Sequence, residues 1–236
     1  MDKAGRYTDD MDTYRTRRAI ALIFFILLAG VPLAGVSADL PTLQEVMTSA
    51  GSTDNIAIPA ELSTLRVKGR APKTGYERSQ FGNGWLETDG CDTRNIILAR
   101  DMTMIRSDDG CKILSGRLHD PYTGKDISFT RGESTSDDVQ IDHVVALSNA
   151  WQTGAQQLTA EKRTQLANDA LNLLAVDGPT NEQKSDGDAA TWLPPNKSFR
   201  CQYVKRQISV KIKYELWVTS AERTAMARVL NACHSG

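Results

Sequence analysis

Hydrophobic and polar positions along the chain change period several times, and each change marks an element. The earliest apolar block, Ala19 to Val36, is uncharged throughout and contains Ile23-Phe24-Phe25-Ile26-Leu27-Leu28. Residues 39–75 then show neither helical nor strand period, and Ala71-Pro72-Lys73-Thr74-Gly75 has a loop composition, so a flexible lead is expected. The folded unit is expected to begin near Tyr76. Asn95 to Met102 predicts a short helix, and Ile113–Leu118 and Asp126–Thr130 predict strands on either side of the turn Asp120-Pro121-Tyr122-Thr123-Gly124. Val139 to Val145 is an apolar run interrupted by Asp142 and His143, and Leu171 to Val176 is a second, interrupted by Asn172. Between them, Thr159 to Asn168 predicts a helix with Thr159 as N-cap and Glu161 in its first turn. Further on, Val204, Ile208 and Ile212 recur every four residues, which places them on one helical face turned inward. The capping box Thr219-x-x-Glu222 opens a last helix that carries Met226, Val229 and Leu230. The pattern as a whole predicts an α+β fold, a small sheet with peripheral helices.

The flanks of the first apolar block say what it is for. Arg15, Arg17 and Arg18 precede it, and Val36-Ser37-Ala38 ends it with compact residues three places and one place before a cut. A basic lead, an apolar middle and a small-residue site predict a secretory signal over residues 1–38, cleaved after Ala38. An uncleaved membrane anchor is the alternative, because about 18 residues is close to the minimum for a span; Pro32 and Gly35 favour cleavage. The expected product is secreted, or else anchored with its body facing outward. Its organisation reads as residues 1–38 leader, 39–75 lead and 76–236 a single domain. Cys91, Cys111, Cys201 and Cys233 all follow the leader, and an even count in an exported chain suggests two disulfides. Of the three connectivities, Cys91–Cys111 with Cys201–Cys233 closes the shortest loops. No C-x₂-C pair is present, which argues against a four-cysteine zinc site.

Net charge decides little. Without residues 1–38 the chain carries 23 Lys and Arg against 25 Asp and Glu, a balance that neither implies nor excludes an anionic polymer as partner. The distribution is uneven, however. Eight basic residues between Lys197 and Arg228 face only Glu215 and Glu222, and a second group is formed by Arg66, Lys68, Arg70, Lys73 and Arg78. Two solvated faces would account for both groups equally well.

The chain has three histidines. His234 lies two residues from the C-terminus, and His119 stands before a turn. His143 follows Asp142 inside a strand-like run. Adjacent strand residues point to opposite faces, so both can serve one site only at a bulge or a strand end. Asn172 is an amide in apolar surroundings, either a satisfied core residue or the organiser of a site. Nine residues on, after the turn Asp177-Gly178-Pro179-Thr180, comes Asn181-Glu182-Gln183-Lys184-Ser185-Asp186. A strand ending in Asp-His, a strand with an inward Asn and a helix opening with Asn together resemble the HNH, or ββα-metal, nuclease motif. The spacing from Asn172 to Asp186 is similar to that in the HNH domain of RNA-guided CRISPR nucleases. The wider set Gly75-Tyr76, Cys91-Asp92-Thr93-Arg94-Asn95, Asp120-Pro121-Tyr122-Thr123-Gly124 and Thr191-Trp192-Leu193-Pro194-Pro195 resembles exported bacterial HNH-family proteins. Those share a domain with the C-terminal part of GmrSD-type, modification-dependent restriction enzymes. The resemblance covers roughly residues 66–233.

The resemblance implies a metal-dependent endonuclease that hydrolyses phosphodiester bonds of duplex DNA, with RNA open and with little sequence specificity. His143 would be general base, Asp142 and Asn181 the metal ligands, Asn172 a brace for the loop holding His143, and Lys184 either a phosphate contact or a solvated lysine. Many HNH enzymes have His where Asn181 stands, and an all-oxygen ligand set favours Mg²⁺ or Mn²⁺ over Zn²⁺. Lys197, Arg200, Lys205 and Arg206 are the expected contacts to the nucleic-acid backbone. Asp92, Arg94 and Asn95 are open between joining the site and forming a turn held by a disulfide; Asp186 between a site and a cap or salt bridge; Trp151 and Trp192 are expected in the core. The competing classes are a non-catalytic module binding nucleic acid or an envelope polymer, which would need no general base, and a hydrolase of another phosphodiester.

Overall fold

The computed structural model describes residues 57–132 and 135–233. The expected leader, the first part of the lead and His234 lie outside the described residues.

The centre of the fold is a pair of antiparallel strands far apart in sequence, β6 (Val139–His143) and β7 (Leu173–Asp177), in register from Val139 opposite Asp177 to His143 opposite Leu173. Alternation gives the pair two faces. Val139, Ile141, Leu173 and Ala175 pack with Ile97 and Leu98 of helix α2 (Thr93–Asp101) and with Leu118 and Phe129. Leu174 and Val176 pack on the other side with Tyr122, Tyr203, Val204 and Ile208. A strand pair buried on both faces is expected to be apolar, and the polar exceptions Gln140, Asp142 and His143, with Asn172 just ahead of β7, are therefore conspicuous.

Around this centre stand a three-stranded antiparallel sheet in the order β3 (Met102–Ser107), β4 (Ile113–His119), β5 (Asp126–Thr130) and a small hairpin of β1 (Glu87–Thr88) and β2 (Cys91–Asp92). The fold is thus mixed α+β with small antiparallel sheets. The first strand of the larger sheet was not expected from sequence. Every residue after Met102 is exposed, and a register shift between Thr103 and Arg106 breaks its alternation. The segment between β6 and β7 folds into α3 (Leu147–Gln152) and α4 (Ala160–Asn168), with the Thr159 side chain accepting from the Lys162 amide at the start of α4. Directly after β7 comes α5 (Gly178–Lys184), capped by Asp177, whose carboxylate accepts from the Thr180 amide. The helix therefore starts three residues before Asn181, which lies in its interior instead of opening it. Gly178 is required there: a Cβ at this position would lie 1.9 Å from the Asp137 carbonyl oxygen.

Helices α6 (Arg200–Lys213) and α7 (Ser220–Cys233) complete the fold. The capping box closes as expected, Glu222 N–H donating to Thr219 Oγ1 and Thr219 N–H to Glu222 Oε2. On α6 the expectation for Ile212 fails: it is 47% exposed, while Tyr203, Gln207, Val210 and Lys211 turn inward with Val204 and Ile208. A spacing of four drifts about 40° per step around a 3.6-residue helix, which rotates Ile212 out. Lys211 is free to turn in because its ammonium group lies 2.9 Å from the Glu222 carboxylate, both fully buried. Disulfides join Cys91 to Cys111 and Cys201 to Cys233. The second ties α6 to α7.

Packing also begins ahead of Tyr76. Leu62 of α1 (Ala60–Ser63) and Leu65 are buried in the core beside Met226 and Leu230, and Val67 bridges to Val218. Those residues looked like loop because two leucines in a polar stretch make no period.

Candidate active site

A cleft of about 500 Å³ opens at the end of β6, and Asp142, His143 and Asn181 all line it. His143 is the last residue of β6, the strand end that lets two consecutive side chains reach one cavity. Asn172 lies beneath, fully buried. It accepts from the Val145 amide through Oδ1 at 2.8 Å and donates through Nδ2 to the Val145 and Leu166 carbonyls. Together with the Val144 amide bonded to its own carbonyl, Asn172 fixes the path of the chain as it leaves His143. The amide stands just before β7, not within it.

His143 is buried, and its Nε2–H donates to the Ala167 carbonyl at 2.8 Å. That bond sets the tautomer and leaves Nδ1 as the acceptor of the ring. The ring stacks on Trp85, with centroids 5.8 Å apart and planes 10° from parallel. Burial pushes its pKa down to about 4, against the opposing pull of the Ala167 carbonyl and of Asp142. The imidazole is therefore neutral at pH 7.

Asp142 is held from both sides. Lys184 Nζ donates to its Oδ1 at 2.8 Å and to the His143 carbonyl at 2.9 Å, and Tyr122 OH donates to its Oδ2. Burial and the neighbouring Asp142 charge raise the Tyr122 pKa well above the usual phenol value, so the hydroxyl stays a donor. Tyr122 is delivered by the turn after β4. The Asp120 carboxylate accepts from the amides of Tyr122, Thr123 and Asp177 and from the Thr123 hydroxyl. The Lys184 side chain has no exposed surface, so it cannot meet a phosphate in solution; it faces inward and orients Asp142 and His143.

The donor set can be tested against a metal. Each Asp142 oxygen accepts one hydrogen bond and keeps a second lone pair. Asn181 donates Nδ2 to Gln140 Oε1 at 2.8 Å, which leaves its Oδ1 for another partner. Among the described residues no group of three or more His, Cys, Asp or Glu side chains is placed to hold a metal ion. Two protein oxygens do not make a zinc site, but they fit a hard cation that keeps most of its water, as Mg²⁺ does.

The remaining expectations divide. Lys197, Arg200, Lys205 and Arg206 do not line the cleft. Arg206 donates to the Leu171 and Ala170 carbonyls and Arg200 to the Pro194 carbonyl, so these two guanidinium groups hold loops together. His119 is a surface residue paired with Asp126 at 2.9 Å. Asp92 caps α2 and Asn95 bonds to Asp92, to the Ile113 amide and to Arg131, whereas Arg94 reaches the cleft. Asp186 lines the cleft too, accepting from Ser148 and Lys73. Trp151 and Trp192 pack against core clusters. Sequence reasoning missed Trp85, Tyr122 and Arg78 at the site. Arg78 stood in the second basic group and Tyr122 in a recognised turn, but nothing marked Trp85.

A buried neutral imidazole that lines a cleft and has one ring nitrogen committed can act as a general base through the other, and the basic residues around it suit an anionic substrate. Residues 92–229 match the family model of the GmrSD restriction endonucleases, C-terminal domain, and the chain belongs to that family. An uncharacterized secreted protein of Arthroderma benhamiae (strain ATCC MYA-4681 / CBS 112371) is 38% identical over 213 residues, covering 89% of this chain and 98% of its own. No solved structure matches the chain significantly.

Proposed function

We propose that this chain is a secreted, divalent-metal-dependent endonuclease of the HNH (ββα-metal) kind, hydrolysing phosphodiester bonds of DNA with little sequence specificity. Two features support the reading: β6 pairs antiparallel with β7 and α5 follows directly, and β6 and α5 both contribute side chains to the cleft. The observation that carries it is His143, neutral and fixed in one tautomer at that cleft. The relative named as secreted and the two disulfides support export.

In this reaction Nδ1 of His143 takes a proton from water as the water oxygen bonds to phosphorus. The P–O3′ bond breaks, the 3′-oxygen collects a proton from solvent, and the ends are a 5′-phosphate and a 3′-hydroxyl. His143 then returns its proton to solvent. Asp142 and Asn181 would hold Mg²⁺ or Mn²⁺, which when bound neutralises charge on the phosphate and the leaving oxygen. Asn172 keeps the chain after His143 in place, Trp85 excludes water from one face of the ring, and Lys184 holds Asp142.

The test is residues 39–236 incubated with plasmid DNA in magnesium or in EDTA, beside the His143→Ala variant. Cleavage by the parent in magnesium alone, and none by a folded variant, is expected. Equal turnover by a folded His143→Ala protein removes the proposed base.

A further inference from the structure

The charge that would grip a nucleic-acid backbone is not where the sequence places the larger basic group. Around α6, Arg200 and Arg206 are bonded to backbone carbonyls, Lys211 is buried against Glu222, and Lys213 pairs with Asp169 at 2.6 Å. A charge already neutralised by an acid has little left to offer a phosphate, and none of these four side chains lines the cleft.

The cleft is different. Lys73, Arg78 and Arg94 line it together with His143. Arg78 is exposed, and none of the ion pairs among the described residues includes it. It also lines an adjoining cavity of about 150 Å³ bounded by Trp85, His143 and Ala167, so its side chain stands at the junction of two hollows that meet at the imidazole. Arg94 is anchored through Nη2 to the Ser136 and Val139 carbonyls, which fixes the guanidinium plane and leaves its other nitrogens uncommitted by those bonds. Lys73 is half-exposed and pairs with the similarly exposed Asp186 at 3.1 Å, a weak pair that can exchange for a phosphate. The opposing acid, Asp142, is already matched by Lys184.

We infer that Arg78, flanked by Lys73 and Arg94, is the phosphate clamp of this site, and that the substrate backbone runs along this rim and not along α6. The inference rests on the nuclease reading, and it names the residues that touch substrate. Arg78 presents a planar fork to two non-bridging phosphate oxygens on the side of the cleft where His143 waits. Lys73 and Arg94 neutralise the phosphates on either side. Three neutralised phosphates predict a slope of log affinity against log salt of about −2.7 on duplex DNA.

The experiment measures binding of a labelled 20-base-pair duplex to the full-length mature His143→Ala protein by fluorescence anisotropy between about 50 and 200 mM salt, and cleavage in the His143 background. Adding Arg78→Ala should weaken binding about tenfold and reduce the slope by about 0.9. In the His143 background it should raise KM and lower kcat/KM. Arg78→Lys should recover part of the binding, and thermal melts should show the variants folded, since Arg78 is exposed. The Lys197→Glu/Lys205→Glu protein is the opposing arm. Weaker binding there, with Arg78→Ala unchanged, overturns the clamp and returns the interface to α6. A parent that cleaves DNA while Arg78→Ala binds and cleaves normally refutes the clamp alone. A parent that neither binds nor cleaves duplex or single strand refutes the nuclease reading beneath it.

Discussion

Replacing Lys184 with methionine tests the internal geometry of the site most directly. The ammonium group lies 2.8 Å from Asp142 Oδ1 and 2.9 Å from the His143 carbonyl, with side-chain exposures of 0% and 6% for Lys184 and Asp142. Methionine keeps most of the volume and removes the charge, leaving a largely buried carboxylate with the Tyr122 hydroxyl as its remaining side-chain partner. Breaking a buried pair in this way costs about 3–5 kcal/mol, because the surviving charge has lost its compensation. With a urea slope of about 2 kcal/mol per molar for a domain of this size, the midpoint should fall by about 2 M. Tryptophan fluorescence under oxidising conditions is a suitable probe, since Trp151 and Trp217 are both buried. The control is Asp142→Leu combined with Lys184→Met, which removes both charges and should regain most of the lost stability. Activity adds a second reading: a residue that orients Asp142 lowers kcat and leaves KM almost unchanged. A loss below about 1 kcal/mol, with no coupling in the double-mutant cycle, would refute the buried pair and return Lys184 to the solvent.

Acidity supplies another prediction. The folded His143 pKa, about 4, lies below the unfolded value near 6.5. Between those values the unfolded chain binds the extra proton, so this contribution is present above about pH 6.5 and is lost as pH falls towards 4, to a total of about 3 kcal/mol. His143→Ala should flatten that part of a stability-against-pH curve, and the acid limb of kcat/KM should lie near pH 4; a limb at the ordinary imidazole value would contradict the buried ring. Asn172→Ala strips the Val145 amide of its partner and should cost about 2–4 kcal/mol, with a fall in kcat measured on the protein that remains folded; unchanged melting and turnover would show that the chain after His143 is held by other means.

What could be read in the sequence was whatever short-range rules dictate. The Thr159 cap and the Thr219–Glu222 box are local chemistry, and both close in the structure. The disulfide pairing followed from loop length. Asp142, His143 and Asn181 were recognisable as a set only through the resemblance to the HNH motif, and one cleft brings them together. Long-range effects decided the rest. Lys184 looks like any lysine near a helix end until its ammonium group is seen to satisfy an acid 42 residues earlier. Ile212 fits a repeat of four, yet Lys211 takes the inward position because α7 offers Glu222. Leu62 and Leu65 show no period, since α7 and not their own neighbours buries them. Arg78 opens a single 3₁₀ turn and Trp85 lies in irregular chain, and neither has a periodicity that can say which side chains a distant strand end will meet.

Asp120 joins parts of the molecule that are otherwise built separately. Its buried carboxylate accepts hydrogen bonds from the turn between β4 and β5 and from the amide of Asp177 at the threshold of α5. Through Tyr122 the first of these parts positions Asp142; through α5 the second positions Asn181 and Lys184. The two walls of the cleft are thus indexed to a single pair of oxygen atoms, like two arms hung from one pin. An amide in that place would turn an N–H₂ group towards donors, and the arms would lose their common reference together. A rim residue acts through one side chain, whereas Asp120 sets both walls at once.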